Sequence, residues 1–207
     1  MKETRVLLAD DHTLILEGVK KLLEAEFDVV GAVEDGRALI EAAQELNPDV
    51  ILLDISMPLL NGVEAARRLR KTLPGAKLIF LTMHADAAYV FEAFRVGASG
   101  YVLKRSASSE LIAAIHQVVK GRTYVTPLVE VPPAWSGWRQ PDNGLTSRQR
   151  EILQFIAEGR GMKEIASLLG ISVKTVEFHK YGLMQKLGLH TIADLTKYAV
   201  RHRLTEA

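Results

Sequence analysis

Five short apolar runs, each followed by a stretch of helical spacing, constrain this chain more than any other feature. The runs are Val6-Leu7-Leu8-Ala9, Val29-Val30, Val50-Ile51-Leu52-Leu53, Leu78-Ile79-Phe80-Leu81 and Tyr101-Val102-Leu103. Most are continuous rather than alternating, as strands covered on both faces are. Between them, Ile15, Val19, Leu22 and Leu23, then Leu39, Ala42, Ala43 and Leu46, and later Leu111, Ile115 and Val118 recur at the spacing of one helical face. Five strand-helix units in about 120 residues predict an α/β fold, a five-stranded parallel, doubly wound sheet with helices on both sides.

The residues that end these runs are chemically distinctive. Run one stops at Asp10-Asp11, run three at Asp54, run four at Thr82 and run five at Lys104. In an open parallel sheet the ligand crevice lies outside the carboxyl ends of the strands, so these side chains are expected to converge there. Crowded carboxylates repel one another unless a cation sits among them, and Mg²⁺ is a hard cation that prefers oxygen ligands. One carboxylate then remains to attack phosphorus and form an acyl phosphate, whose charge the cation, a lysine and a hydroxyl can share. Asp49 is the nearest competitor to Asp54, but it precedes its run and is expected at the opposite edge.

Composition narrows the rest. The absence of cysteine removes disulfides, thiol nucleophiles and thiolate metal sites. No apolar run approaches the roughly 20 residues of a membrane span, and the first residues lack the apolar core of a secretion signal, so no membrane association and a cytoplasmic protein are expected. The net charge of +1 hides an asymmetry: residues 1–120 carry 14 basic and 17 acidic side chains, residues 144–207 carry 10 and 6. The basic end is suited to nucleic acid. Between the two, residues 125–144 hold four of the seven prolines without helical or strand period, a linker composition. Trp135 and Trp138 are unusual in a pure spacer and could pack on one domain.

The basic end reads as four helices. Thr146 and Gln149 form a capping box, and Ile152, Leu153 and Ile156 share a face before Gly159. A short helix carries Ile165, Ala166, Leu168 and Leu169 and stops at Gly170, Ser172 caps a third running to about Leu187, and Ile192, Leu195, Ala199 and Val200 mark a fourth. A short helix, a glycine turn and a longer capped helix form a helix-turn-helix pattern. On the third helix Val176, Leu183 and Leu187 point in one direction, the expected core face. Lys174, Phe178, Tyr181 and Gln185 lie opposite, with Glu177 on the flank. Aromatics can meet thymine methyls, Gln can read adenine and Glu can accept from cytosine, which makes this face a candidate major-groove reader. Lys180 and Thr175 are better placed for phosphates, and His179 is expected to pack. An exposed aromatic pair could also serve a protein contact.

Taken in order, Asp10-Asp11, Asp54-Ile55-Ser56-Met57-Pro58 with Asn61-Gly62, Leu81-Thr82, and Gly100-Tyr101-Val102-Leu103-Lys104 resemble the receiver domain of two-component response regulators. The resemblance implies a flavodoxin-like fold and Asp54 as phosphoacceptor. It implies that Asp10, Asp11, Asp54 and the backbone carbonyl of Ser56 hold Mg²⁺, and that Thr82 and Lys104 contact the phosphoryl group. Tyr101 would be the aromatic that reorients when Thr82 moves, although a half-buried strand aromatic explains it as well. His84 falls at the crevice mouth, where the family varies and tunes phosphate lifetime; a surface-loop histidine is the alternative. The segments Leu145-Thr146-Ser147-Arg148-Gln149-Arg150-Glu151-Ile152-Leu153, Lys163-Glu164-Ile165-Ala166 and Ile171-Ser172-Val173-Lys174-Thr175-Val176-Glu177-Phe178-His179 resemble the LuxR-type DNA-binding domain, and the pairing is similar to the NarL/FixJ class.

Those resemblances divide the chain into a receiver at 1–121, a linker at 122–143 and a DNA-binding domain at 144–207. They imply a sensor histidine kinase as phosphodonor, double-stranded DNA as target, a homodimer on DNA paired through the last helix near Leu195 and Ala199, and contact with the transcription machinery. They imply no independent enzymatic turnover. The sequence departs from the pattern at Arg105-Ser106 after the lysine, at Gly161, and at Glu177 and Tyr181. The acids, lysine and hydroxyl would also suit a Mg²⁺-dependent phosphohydrolase, and a receiver that only dimerises is a third reading.

Overall fold

The computed structural model describes residues 4–130, 145–202 and 204. The chain forms two compact units that divide between Trp138 and Arg139. The expected tryptophan packing falls on Trp135 and Trp138, which lie outside the described residues.

In the first unit, strands β1 (Arg5–Ala9), β2 (Asp28–Val33), β3 (Val50–Leu53), β4 (Lys77–Thr82) and β5 (Gly100–Leu103) alternate with helices α1 (Thr13–Leu23), α2 (Gly36–Leu46), α3 (Gly62–Thr72), α4 (Ala87–Arg95) and α5 (Ala107–Val119). The sheet is parallel throughout, in the order β2-β1-β3-β4-β5 with a further strand, β6 (Tyr124–Val125), beside β5. Its pleat splits the apolar runs between two cores. Leu7, Ala9, Ile51, Leu53, Leu78, Phe80, Tyr101 and Leu103 pack with Leu39 and Ala43 of α2, Leu69 of α3 and Val90 of α4. Val6, Leu8, Val50, Leu52, Ile79, Leu81 and Val102 pack with Leu16, Val19 and Leu23 of α1 and Leu111, Ile115 and Val118 of α5. Continuous apolar runs follow from that two-sided burial.

The sheet has six strands rather than five. Residues Tyr124–Val125 form β6, pairing Gly100 with Tyr124 and Tyr101 with Val125. Part of the expected linker is thus folded onto the first unit, with Thr126 and Val129 buried. β5 leaves its outer edge unpaired after five strand-helix units, and even two residues of β-prone Tyr-Val can satisfy those backbone groups.

The second unit is all helical: α6 (Ser147–Ala157), α7 (Met162–Leu169), α8 (Val173–Leu187) and α9 (Ile192–Arg201). Thr146 and Gln149 form the expected reciprocal capping box at α6. Gly170 ends α7 at φ +62°, a left-handed conformation that glycine adopts without steric cost. Ser172 caps α8 by accepting from the Thr175 backbone N–H. The core joins Ile152, Leu153, Phe155 and Ile156 to Ile165, Leu169, Val176, Leu183, Leu195 and Ala199. Leu195 and Ala199 are therefore core residues of their own unit; around them on the same helix, Ile192 and Lys197 are exposed. Leu187 is half-buried rather than buried.

Candidate functional site

The carboxyl ends of β1, β3, β4 and β5 bring Asp10, Asp54, Thr82 and Lys104 together. The Lys104 ammonium lies 2.6 Å from Asp54 Oδ2 and 2.8 Å from Asp10 Oδ2, and the three side chains are almost wholly buried. It also donates to Asp10 Oδ1 at 3.0 Å. Asp54 Oδ1 accepts from the Ile55 backbone N–H at 2.6 Å. Thr82 is fully buried at the end of β4. Asp49 is exposed at the amino edge of β3, where its carboxylate accepts from the Arg5 backbone N–H, so it plays no part here.

Burial dominates the ionisation of Asp54. It pushes the carboxyl above the usual carboxylate range, and neighbouring Asp10 adds to the effect. Lys104 and the Thr82 hydroxyl pull the other way without cancelling it. For Lys104, burial favours the neutral amine, but the two carboxylates outweigh it and raise the pKa. Two buried carboxylates share one ammonium, which leaves one negative charge unmatched.

The donor set suits a divalent cation. Ligand atoms of Asp10, Asp11, His12 and Asp54 lie within 4.8 Å of one another. Asp10 Oδ2 is buried and, despite its closeness to Lys104, makes no hydrogen bond of acceptable geometry. Hard oxygen donors with unmatched negative charge fit an alkaline-earth ion. His12 had no expected role. Its Nδ1 lies 3.1 Å from Asp10 Oδ1 and 3.0 Å from Asp11 Oδ1, steadying the two carboxylates. Its position beside the Asp pair was the available signal.

The loop after β3 is shaped by close approach. A Cβ on Gly62 would lie 1.8 Å from the Asp54 carbonyl oxygen, so only glycine allows α3 to start against the β3 terminus. The Gly62 N–H donates to Ile55 O at 2.8 Å, and the Asn61 side chain caps α3 through the Glu64 N–H. Ser56, two residues past Asp54, is half-buried, and its hydroxyl lies 3.2 Å from His84 Nε2. His84 is therefore more than a surface-loop residue: its ring stacks on Tyr89 with centroids 3.9 Å apart. Tyr101 is 0% exposed, not half-buried, and its hydroxyl donates to the His84 carbonyl at 2.8 Å.

The helical unit presents a second candidate face, on α8. Val176 and Leu183 turn inward, whereas Phe178 and Tyr181 are 74% and 63% exposed. Lys174, Glu177 and Gln185 are exposed with them. The Lys180 ammonium sits 5.1 Å from the centre of the Tyr181 ring. The Thr175 hydroxyl is 2.8 Å from Ser172 Oγ in the first turn. His179 is half-buried, its ring edge-on to Phe178. All seven α8 residues expected to contact DNA thus lie on one helix, five of them exposed.

An acid-lined crevice and a helix-turn-helix in one chain define a class: DNA-binding regulators whose α/β domain receives the signal. Comparison with known proteins makes the assignment specific. The description "Response regulator receiver domain" matches residues 6–116, and "Bacterial regulatory proteins, luxR family" matches residues 143–199. The chain belongs to the NarL/FixJ-type response regulators, with a receiver domain and a LuxR-type DNA-binding domain. It is 38% identical to the transcriptional regulatory protein MctR of Rhizobium johnstonii, over 96% of this chain and 94% of that protein. It is likewise 38% identical to the oxygen regulatory protein NreC of Staphylococcus aureus, over 98% and 99%. Among solved structures, the Salmonella typhimurium RcsB response regulator matches with a TM-score of 0.63 at 31% identity, covering 96% of this chain and 97% of that one. An RcsB-DNA complex matches with a TM-score of 0.56 at 31% identity, covering 95% and 98%.

Proposed function

We propose that Asp54 accepts a phosphoryl group from a sensor histidine kinase and that this event controls DNA binding through α8. The observation that carries the reading is the Lys104 ammonium held between Asp54 and Asp10 where β1, β3 and β5 end. An Asp54 carboxylate oxygen forms a bond to phosphorus as the bond from phosphorus to the donor imidazole nitrogen breaks, and the leaving imidazole takes up a proton. The Ile55 N–H at Oδ1 orients the carboxylate. Lys104 exchanges Asp10 for the phosphoryl oxygens, and the Thr82 hydroxyl donates to them. Mg²⁺ held by Asp10, Asp11, Asp54 and the Ser56 carbonyl would share the charge of the transferred group.

Thr82 moving toward the phosphate leaves room behind it, and Tyr101, tethered to the loop through His84, reports that movement. On the second unit, Phe178, Tyr181, Gln185, Glu177 and Lys174 enter the major groove, while Lys180 and Thr175 take phosphates. The protein acts in the cytoplasm as a homodimer on two half-sites, contacts the transcription machinery and has no turnover of its own. The phosphoacceptor domain comprises 1–121 with residues 124–129 packed on it, and the DNA-binding domain 144–207.

Incubation with acetyl phosphate and Mg²⁺ tests the phosphoacceptor. Wild type should take up about one equivalent of phosphoryl group, at Asp54, and Asp54→Ala none. Label surviving in that variant, or release of phenol from an aryl phosphate in many-fold excess over protein, would overturn the reading.

A further inference from the structure

The segment after α5 is anchored at points that bracket Lys104. The Thr126 N–H donates to the Tyr101 carbonyl at 2.9 Å. The Thr126 hydroxyl, on a residue 1% exposed, lies 3.3 Å from Ser106 Oγ. Ser106 Oγ donates its own proton to the Leu103 carbonyl at 3.1 Å, so in this pair Thr126 is the donor. Leu103 precedes and Ser106 ends the 3₁₀ turn Lys104–Ser106 from which the crevice lysine projects. Val129 is buried in the same core cluster as Tyr101 and Leu103. The Tyr124 phenol donates to Glu110 Oε2 on α5 at 3.1 Å, and its pKa is pushed up to about 12 by burial and by that carboxylate.

We propose that Thr126 is a positioning residue for Lys104, and that segment Tyr124–Val129 relays the state of the crevice to the chain that continues into the second unit. The inference rests on the reading of Asp54 and Lys104 above. A buried hydroxyl pair has no water to take the place of a lost partner, so the turn that carries Lys104 and the segment behind it hold one geometry together. When Lys104 turns from Asp10 to a phosphoryl group, its turn is reloaded, and the load falls on Ser106 and then on Thr126. Tyr101 brings a second input to the same residue. Its hydroxyl holds the loop after Thr82, and its carbonyl holds the Thr126 amide. Through Thr126 this segment is therefore hydrogen-bonded to Ser106, which ends the turn that carries Lys104, and to Tyr101, whose hydroxyl holds the loop after Thr82.

Hydrogen exchange on the full chain, with and without beryllofluoride plus Mg²⁺, reads the relay directly. The Thr126 and Tyr124 amides should change their exchange rates by about tenfold on addition, a shift of the size usual for coupled sites. Thr126→Val, which keeps the shape and removes the hydroxyl, should slow phosphoryl uptake from acetyl phosphate and blunt the exchange response. Thr126→Ser should restore both, which a purely packing role of the threonine methyl would not do. Unchanged exchange at residues 124–129 in wild type, or a Thr126→Val protein that labels and responds as wild type does, overturns the inference. Should Thr126→Val fail to fold, the wild-type exchange measurement decides alone. Failure of wild type to label at all would instead remove the phosphoacceptor reading.

Discussion

Asp54 sits in a cluster whose charges do not balance, and that imbalance fixes the behaviour of the site. Its raised pKa means that the folded protein holds the Asp54 proton more tightly than the unfolded chain does. Ionisation therefore costs stability as pH rises from the ordinary value of 3.8 through the higher folded value, and the cost is absent below that interval. Lys104 runs the other way: its stabilising contribution is complete below its ordinary 10.5 and disappears only as pH climbs through its raised folded value. Between these limits Asp54→Asn should stabilise the metal-free protein, by at least about 1 kcal/mol at pH 7, because one buried charge is removed while Asp10 still pairs Lys104. The gain in melting temperature should shrink below the carboxylate range and on addition of Mg²⁺ to wild type. An Asp54→Asn protein that melts below wild type at pH 7 would show that Lys104 compensates Asp54 fully. Gly62→Ala tests the backbone beside it. The new methyl would meet the Asp54 carbonyl at 1.8 Å, so a loss of about 1–3 kcal/mol in denaturant unfolding is expected, with slower phosphoryl uptake.

Along α8 the two faces of one helix carry separable roles. Leu183 is fully buried, so Leu183→Ala should cost about 2–5 kcal/mol of stability. Phe178 and Tyr181 are exposed, so truncating either to Ala should leave unfolding within about 0.5 kcal/mol of wild type while weakening DNA binding by about tenfold. Fluorescence anisotropy on duplex DNA, paired with a thermal melt, separates the two; unchanged affinity in both aromatic variants would move the DNA contact off this face. That division was legible in the sequence, because a 15-residue helix repeats its apolar positions often enough to define a side. The strands were legible for a related reason, since burial on both faces leaves continuous Val, Ile and Leu. β6 was not: two residues give no period, only Thr126 separates its end from Pro127, and its partners in β5 lie 24 positions earlier. The apolar face of α9 was visible too, but periodicity says that Leu195 and Ala199 are covered and not by what, and the structure covers them with α6. In the crevice, topology alone predicts the meeting of Asp10, Asp54, Thr82 and Lys104, whereas no spacing rule ties Ser106 to Thr126.

Joining an acidic receiver to a basic reader in one chain makes the response to phosphorylation a matter of linked equilibria. A ligand shifts a population only by its differential affinity for the two states, so phosphoryl transfer must act on something that differs between them. If the difference is pairing of protomers, a second DNA-binding unit is brought to the local concentration of the first, and its half-site is occupied almost intramolecularly. Such tethering multiplies affinity by about 10²–10⁴ without any new base contact. If the difference is instead an uncovered α8, a single unit gains as much as a pair does. The two mechanisms separate on DNA length. With a duplex carrying two half-sites about one helical turn apart, beryllofluoride plus Mg²⁺ should tighten binding of the full chain by about a hundredfold. A duplex carrying one half-site should change by less than about threefold, and Asp54→Asn should respond on neither. Equal tightening on both duplexes would assign the switch to exposure of α8 in each protomer and not to pairing. The one-half-site measurement carries the distinction, since only there is the contribution of the second protomer missing.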